Sequence, residues 1–232
     1  MKVLAICAIA VLSITSAKAQ FATGADVVSS YVWRGVTQGT KAGTPNIQPF
    51  AAYTVGGFTI GSWASTSFTG DVKEVDLYAT YAFSPAFALT LTDYNYNLGA
   101  QPNYFDYTKT TGHVFEATLA YTGSEKFPLS ATVNTMFAGA DKTTAGDQAF
   151  STYAELGYQL TPLAKVFIGG LATSGTGYTD LSSSIVKAGI TNVGLKVSKS
   201  IAITDKFSLP VYGIVGANPS SKTAFFVAGV TL

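Results

Sequence analysis

The chain has 232 residues, enough for a single all-β domain without a second one. Charged residues make up 12% of it, against roughly 25% in average soluble domains, while aromatics reach 13% and the mean hydropathy is +0.29. With 14 basic and 13 acidic residues there is no broad basic footprint for nucleic acid, and past residue 20 no apolar run approaches the roughly 18 residues of a spanning helix, so any membrane insertion has to be by strands.

Residues 1–19, MKVLAICAIAVLSITSAKA, carry Lys2 at the head, an apolar stretch from Val3 to Ile14 and the small-residue pattern Ala17-Lys18-Ala19. This predicts a removable signal peptide cut before Gln20; a retained helical anchor is disfavoured because the apolar segment is short and a cleavage pattern follows it. Cys7, the one cysteine, lies inside that segment, so the processed chain would hold no thiol, no disulfide and no Cys-ligated metal. Removing Lys2 and Lys18 from the 14 basic residues leaves 12 against 13 acidic ones, a net charge of −1.

From Gln20 onward one unit recurs, an alternating run of about ten residues followed by a turn. The first run is Asp26 to Val36, with Val27, Ser29, Tyr31 and Trp33 on one side and Asp26, Ser30 and Arg34 on the other. Next come Asn46 to Val55, Phe58 to Thr66, Glu74 to Phe83, Phe87 to Tyr96 and His113 to Tyr121. Then follow Leu129 to Phe137, Thr152 to Leu160, Lys165 to Ala172, Asn192 to Ile201, Phe207 to Val215 and Thr223 to Leu232, twelve in all. Alternation is cleanest in Glu74 to Phe83, where Val75, Leu77, Ala79, Tyr81 and Phe83 oppose Glu74, Asp76, Tyr78 and Thr80. One face suits hydrocarbon and the other water or polar partners, which a closed sheet with lipid outside and a polar lumen provides. The predicted fold is therefore a transmembrane antiparallel up-and-down β-barrel of about 12 strands over residues 20–232. Asp93 falls on the apolar parity of its run, which requires either a bulge or a place above the bilayer.

Short connections such as Val55-Gly56-Gly57, Ser84-Pro85-Ala86 and Thr161-Pro162-Leu163 alternate with long ones such as Asn97 to Gly112 and Ser174 to Ile190. In outer-membrane barrels short turns are periplasmic and long loops extracellular, so both termini are expected in the periplasm. The last apolar row, Phe226, Ala228, Val230 and Leu232, suits either a signal for the barrel assembly machinery or simply a final core strand.

Four segments carry a family resemblance: Ser30-Tyr31-Val32-Trp33-Arg34-Gly35, Ile47-Gln48-Pro49, Gly57-Phe58-Thr59-Ile60-Gly61-Ser62-Trp63 and Glu74-Val75-Asp76-Leu77-Tyr78. Over about residues 25–96 the chain resembles the TorF-type porins of Gram-negative bacteria. The resemblance implies a signal peptide, an outer-membrane barrel and passive transport, with no substrate and no catalytic residue to carry over. Ser30 stands where the family has an acidic residue before the Tyr.

Arg34 is the only arginine, and a guanidinium cannot shed its charge, so it needs water or carboxylates. Glu74, Asp76, Glu116 and Glu155 share the lumen-facing parity with it. Two arrangements are open: a charged constriction near the outer mouth that selects solutes, or a plug in which these charges pair and close the lumen. His113, the only histidine, could serve a membrane-embedded hydrolase with Ser29 or Ser30, but Glu116 lies on the opposite parity, which favours a hydrogen-bonded or surface histidine. No metal or cofactor is expected. Asp141 to Asp147 reads as a solvated loop and Ser174-Gly175-Thr176-Gly177 as a flexible one. Tyr31, Trp33, Trp63, Tyr81, Tyr121 and Tyr158 are assigned to an interfacial girdle. The function expected is an outer-membrane porin for small polar solutes, in contact with outer-membrane lipid. A structural or surface-interaction barrel with a plugged lumen is the alternative.

Overall fold

The computed structural model describes residues 19–96, 103–108 and 112–232. The expected signal peptide, residues 1–18 of it, and part of the Asn97 to Gly112 connection lie outside the described residues. The strands are β1 (Gln20–Val28), β2 (Val32–Trp33), β3 (Val36–Thr37), β4 (Asn46–Val55), β5 (Phe58–Ser67), β6 (Lys73–Ala82) and β7 (Phe87–Asn95). The second half holds β8 (His113–Tyr121), β9 (Leu129–Gly139), β10 (Thr152–Gln159), β11 (Ala164–Thr173), β12 (Gly189–Thr204), β13 (Phe207–Asn218) and β14 (Thr223–Thr231). All except β2 and β3 close into one antiparallel barrel of twelve strands, each beside its neighbour in the chain, with β14 returning to β1. Closure is short: Asp26 pairs with Thr231 and Val28 with Gly229, flanked by Leu232 N–H to Ala25 O at 2.9 Å and Ser29 N–H to Ala228 O at 2.8 Å.

Burial is inverted relative to a water-soluble domain. Leu77, Leu91, Leu119, Val133, Leu156 and Phe226 stand on the outer face at 38–61% exposure, whereas the inward Thr59, Glu74, Asp76, Glu116 and Asn134 are at 4% or less. Such strands are long enough to cross hydrocarbon, which takes about 9–11 residues when tilted. Exposed aromatics stand at both ends of the barrel, Phe58, Tyr81, Phe83, Phe87, Phe127 and Phe207 with the short turns and Phe68, Phe137, Phe150 and Phe226 with the long connections.

The wall's inner surface is shaped by glycine. Gly24, Gly61, Gly194, Gly216 and Gly229 are register partners of Phe50, Tyr78, Phe167, Phe225 and Tyr212. A Cβ on any of the five would come within 3.0 Å of that ring, so each ring lies flat over the bare backbone of the next strand, as aromatics do over sheet glycines. This lets large side chains face a narrow lumen without blocking one another.

The largest departure from expectation is the first run. Instead of continuing to Val36, the wall strand stops at Val28, and the chain leaves the sheet until Asn46, which pairs with Val28 itself. Between them, β2 and β3 form a small hairpin whose turn places Arg34 at φ 52° and Gly35 at φ 79°. Two consecutive residues at positive φ make the tight primed turn that suits a two-residue hairpin. Side chains of this hairpin meet residues of β7, β8 and β10, its turn carbonyls accept from β12 and β13, and only the lumen borders all of those strands. Tyr31 and Trp33 therefore do not belong to an outer girdle, because period-two parity lapses where a strand leaves its sheet. Trp63 also faces inward, on the parity of the buried Thr59, Ser65 and Ser67, with its ring centroid 5.5 Å from that of Tyr31. Tyr81, Tyr121 and Tyr158 do stand on the outer face. β7 keeps unbroken register with both neighbours, so no bulge in it turns Asp93 inward; Asp93 faces out and is covered by Tyr104 and Tyr107.

Alanine at Gly229 should lower the free energy of unfolding by about 1–3 kcal/mol, because Tyr212 has to leave its wall position. Gly213→Ala, with nothing within 4 Å of the added carbon, should be close to neutral. Urea unfolding midpoints of the two variants in detergent micelles measure the difference.

Candidate functional site

The hairpin turn is clamped before its side chain does anything. Thr191 Oγ1, on β12, donates to the Arg34 carbonyl at 3.2 Å, and Asn218 Nδ2, on β13, donates to the Gly35 carbonyl at 3.1 Å. A side chain at Gly35 would collide with the Thr191 carbonyl, so both its backbone angle and its surroundings demand glycine. With its backbone held there, Arg34 reaches β8. Its Nη1 donates to Glu116 Oε2 at 2.6 Å and its Nη2 to Oε1 at 2.7 Å, a two-pronged match of planar groups. Glu116 is completely buried and also accepts from the Tyr94 hydroxyl at 3.0 Å. The guanidinium carbon lies 4.4 Å from the Trp33 ring centroid and 4.9 Å from that of Tyr153, and Nη1 also donates to the Tyr178 hydroxyl. Trp33 stacks on Tyr178 at 4.8 Å and 18°. A permanently charged group is thus taken out of bulk water with a carboxylate and three aromatic rings as replacement solvation.

Tyr178 comes from the connection between β11 and β12, and it is carried inward by a bonded pair of loops. Asp141, fully buried, accepts from the Ser151 amide at 2.8 Å, the Ser151 hydroxyl at 2.6 Å and the Gly177 amide at 3.2 Å. Ser151 Oγ accepts from the Gly175 amide at 2.7 Å, and the Thr176 amide donates to the Lys142 carbonyl at 2.9 Å. The Asp141 end of its loop is therefore a buried anchor rather than a solvated one, and Ser174 to Gly177 is bonded down rather than flexible. Composition alone reads both as polar loops, because the backbone amides that Asp141 binds come from far along the chain.

The five lumen candidates divide. Arg34 and Glu116 are bonded to each other. Glu155 lies next to them through Tyr153, whose hydroxyl donates to Glu155 Oε2 at 2.5 Å; Asn192 Nδ2 donates to the same oxygen at 2.9 Å. Glu74 and Asp76 form a separate buried pair on β6 beside Tyr31, with Asp76 Oδ1 accepting from the Asn95 amide at 3.4 Å. Tyr178, Tyr153, Thr191 and Asn218 complete the site without having been singled out in the sequence. Glu116, Met136, Tyr153 and Tyr178 are all at 1% exposure or less, so the interior around the ion pair is filled.

A second tie holds the hairpin from its far side. Asp71, in the β5–β6 connection, accepts from the Thr40 amide at 2.8 Å, the Thr40 hydroxyl at 2.6 Å and the Ser67 hydroxyl at 2.5 Å. Hydrogen bonds from Ser67, Thr40 and Thr69 hold its carboxyl well below the usual carboxylate range. A depressed folded-state value means this tie is fully present above the unfolded pKa of roughly 3.9 and is lost as pH falls through the folded one.

His113 is buried at 1% and faces outward, away from Glu116, so those two do not converge. Its Nδ1 lies 2.5 Å from Asp93 Oδ1 and its Nε2 lies 2.6 Å from the Tyr104 carbonyl. Among the described residues no group of three or more His, Cys, Asp or Glu is placed to hold a metal ion. A scan of the chain against protein-family models gives no match, and a search among curated proteins gives none.

Glu116→Gln should destabilise the barrel by about 3–5 kcal/mol, since it leaves a buried guanidinium without its counter-charge. Replacing both partners, Arg34→Met with Glu116→Met, should recover most of that loss in the same urea titration. For Asp71→Asn, amide exchange at Thr40 should become fast at neutral pH, where the wild-type amide is protected.

Proposed function

We propose that this chain is an outer-membrane channel of the TorF-type porin kind, for small polar solutes, whose lumen is closed by its own hairpin in the conformation described. The observation that carries the reading is a closed twelve-strand barrel with an apolar exterior and a polar interior, the arrangement that lipid outside and water inside favour. The exposed aromatics at the short-turn end suit a membrane interface. Strand lengths, the alternation of short and long connections and the resemblance over residues 25–96 support the same assignment. Passage of a solute requires the Arg34 to Glu116 pair to open and the hairpin to move aside, because rings and carboxylates fill the lumen at that level.

A second reading has a specific observation in its favour: a two-pronged ion pair with clamped turn backbone is what a permanent plug would use. The protein would then be a structural or surface-interaction barrel that works through its loops.

The two separate in planar bilayers. Val28 already pairs with Asn46, so residues 30–44 can be replaced by a two-glycine link that closes β1 and β4 as a tight hairpin. The channel reading expects sparse, small single-channel steps from the wild type and steps several-fold larger from the shortened variant. Silence from both after verified folding would remove the channel and leave the plugged barrel. Equal conductance in both would mean that the hairpin is not the gate.

A further inference from the structure

We propose that Glu74 and Asp76 form a binding site for a hard divalent cation of the calcium type, set on the inner wall near the β5–β6 connection. The site goes beyond the channel reading and does not depend on whether the lumen conducts. The two acids are alternate residues of β6, so both side chains enter the barrel from one strand, and each is 4% exposed. Among the described residues neither is ion-paired: Arg34 is taken by Glu116 and His113 by Asp93. Lys73, next to them on the strand, is exposed on the opposite parity. Buried charges in proteins are paired or coordinate metals, and this pair has no basic side chain to serve it.

The neighbouring donors are committed elsewhere, and that leaves oxygens bare. Ser65, the register partner of Glu74, donates its hydroxyl to Asn46 Oδ1 at 3.2 Å. Tyr94, the register partner of Asp76, donates to Glu116 at 3.0 Å. The Tyr31 hydroxyl hydrogen-bonds to Glu74, yet Glu74 Oε1, closed off from solvent, has no hydrogen-bond partner among the described residues. The Tyr96 hydroxyl is closed off and unpartnered in the same way. Val75 pairs with Asn95, so the following residue, Tyr96, stands across from Glu74 on the inward side, its ring stacked on Tyr94 at 5.5 Å and 12°. Its hydroxyl lies within electrostatic reach of both carboxylates. A water molecule there would satisfy the bare oxygens and leave two like charges side by side, whereas a divalent cation offsets the charge as well. Every available donor is a hard oxygen, and two independently rotating carboxylates suit the adaptable coordination of calcium better than the strict octahedron of magnesium.

The test uses the folded full chain in metal-free detergent micelles, titrated with calcium by calorimetry and with terbium by luminescence. Saturable calcium binding is expected, weakened at least tenfold in the Glu74→Gln, Asp76→Asn variant and unchanged in Asp147→Asn, which alters an exposed loop acid. Trp63, the register partner of Asp76, and Trp33, whose ring centroid is 6.4 Å from that of Tyr96, flank the site. Bound terbium should therefore emit on tryptophan excitation, and calcium should displace it. The double variant keeps both side-chain shapes and drops both charges, so it folds without the cation. Chelation should lower the urea unfolding midpoint of the wild type and leave that of the double variant where it is. No saturable binding by folded wild type overturns the proposal and leaves the pair holding protons or water alone. Binding by the double variant as tight as wild type overturns it too, by placing the cation elsewhere. Calcium binding without any conductance would uphold this site while removing the channel, and channel steps without calcium binding would do the reverse.

Discussion

A guanidinium that cannot be neutralised has been placed inside a closed barrel, and much of the interior is arranged around that fact. Arg34 needs a counter-charge at fixed distance and angle, and Glu116 supplies both oxygens in the plane of the fork. Glu116 in turn is a buried carboxylate that needs every lone pair engaged, which draws in Tyr94. The turn that delivers Arg34 needs two residues at positive φ and two carbonyl partners, which Gly35, Thr191 and Asn218 provide. Removing any one of these exposes a cost elsewhere, so the hairpin, the β12 and β13 ends and the loop carrying Tyr178 behave as one assembly.

That assembly divides the barrel by height. At the hairpin level the interior is packed with aromatic rings and paired charges, much like a small protein core that happens to be polar. Toward the short turns the lining changes to Thr, Ser and Lys with aromatic rings laid flat over glycines. The same wall therefore carries two linings, one sealed around the ion pair and one half-buried toward the short turns, and its hydrogen-bonded ladder shifts register near the first, at Phe115/Glu116 and Gly169/Gly170. Outside, the apolar surface is interrupted where Asp93 and His113 face out, and there Tyr104 and Tyr107 cover the polar groups.

Most of the wall was legible in the sequence. A strand with one apolar and one polar face alternates strictly, so Glu74 to Phe83 or His113 to Tyr121 give both their strand and their faces from the pattern alone. The first run misleads because Val27, Ser29, Tyr31 and Trp33 alternate as a wall strand would, while the hairpin is set by a turn at Arg34-Gly35 that looks like part of the pattern. The presence of Arg34 and a set of inward carboxylates could be read, but not which carboxylate it takes. Strand parity places Glu74, Asp76, Glu116 and Glu155 on one face without fixing how far a folded-in hairpin extends across the lumen. Tyr178 and Asp141 carried no signal, since irregular loops have no period and their partners are set by tertiary contact.

The most direct measurement uses the two tryptophans, Trp33 and Trp63, both of which face the lumen. In vesicles of lipids with brominated acyl chains, tryptophan emission is quenched only where the ring meets hydrocarbon. If lipid surrounds this wall and the hairpin lies within it, the native emission should be nearly unaffected, while a tryptophan added at the outward Leu119 should be strongly quenched. Quenching of the native tryptophans to the same extent as the one at residue 119, or no quenching at residue 119, would contradict the account.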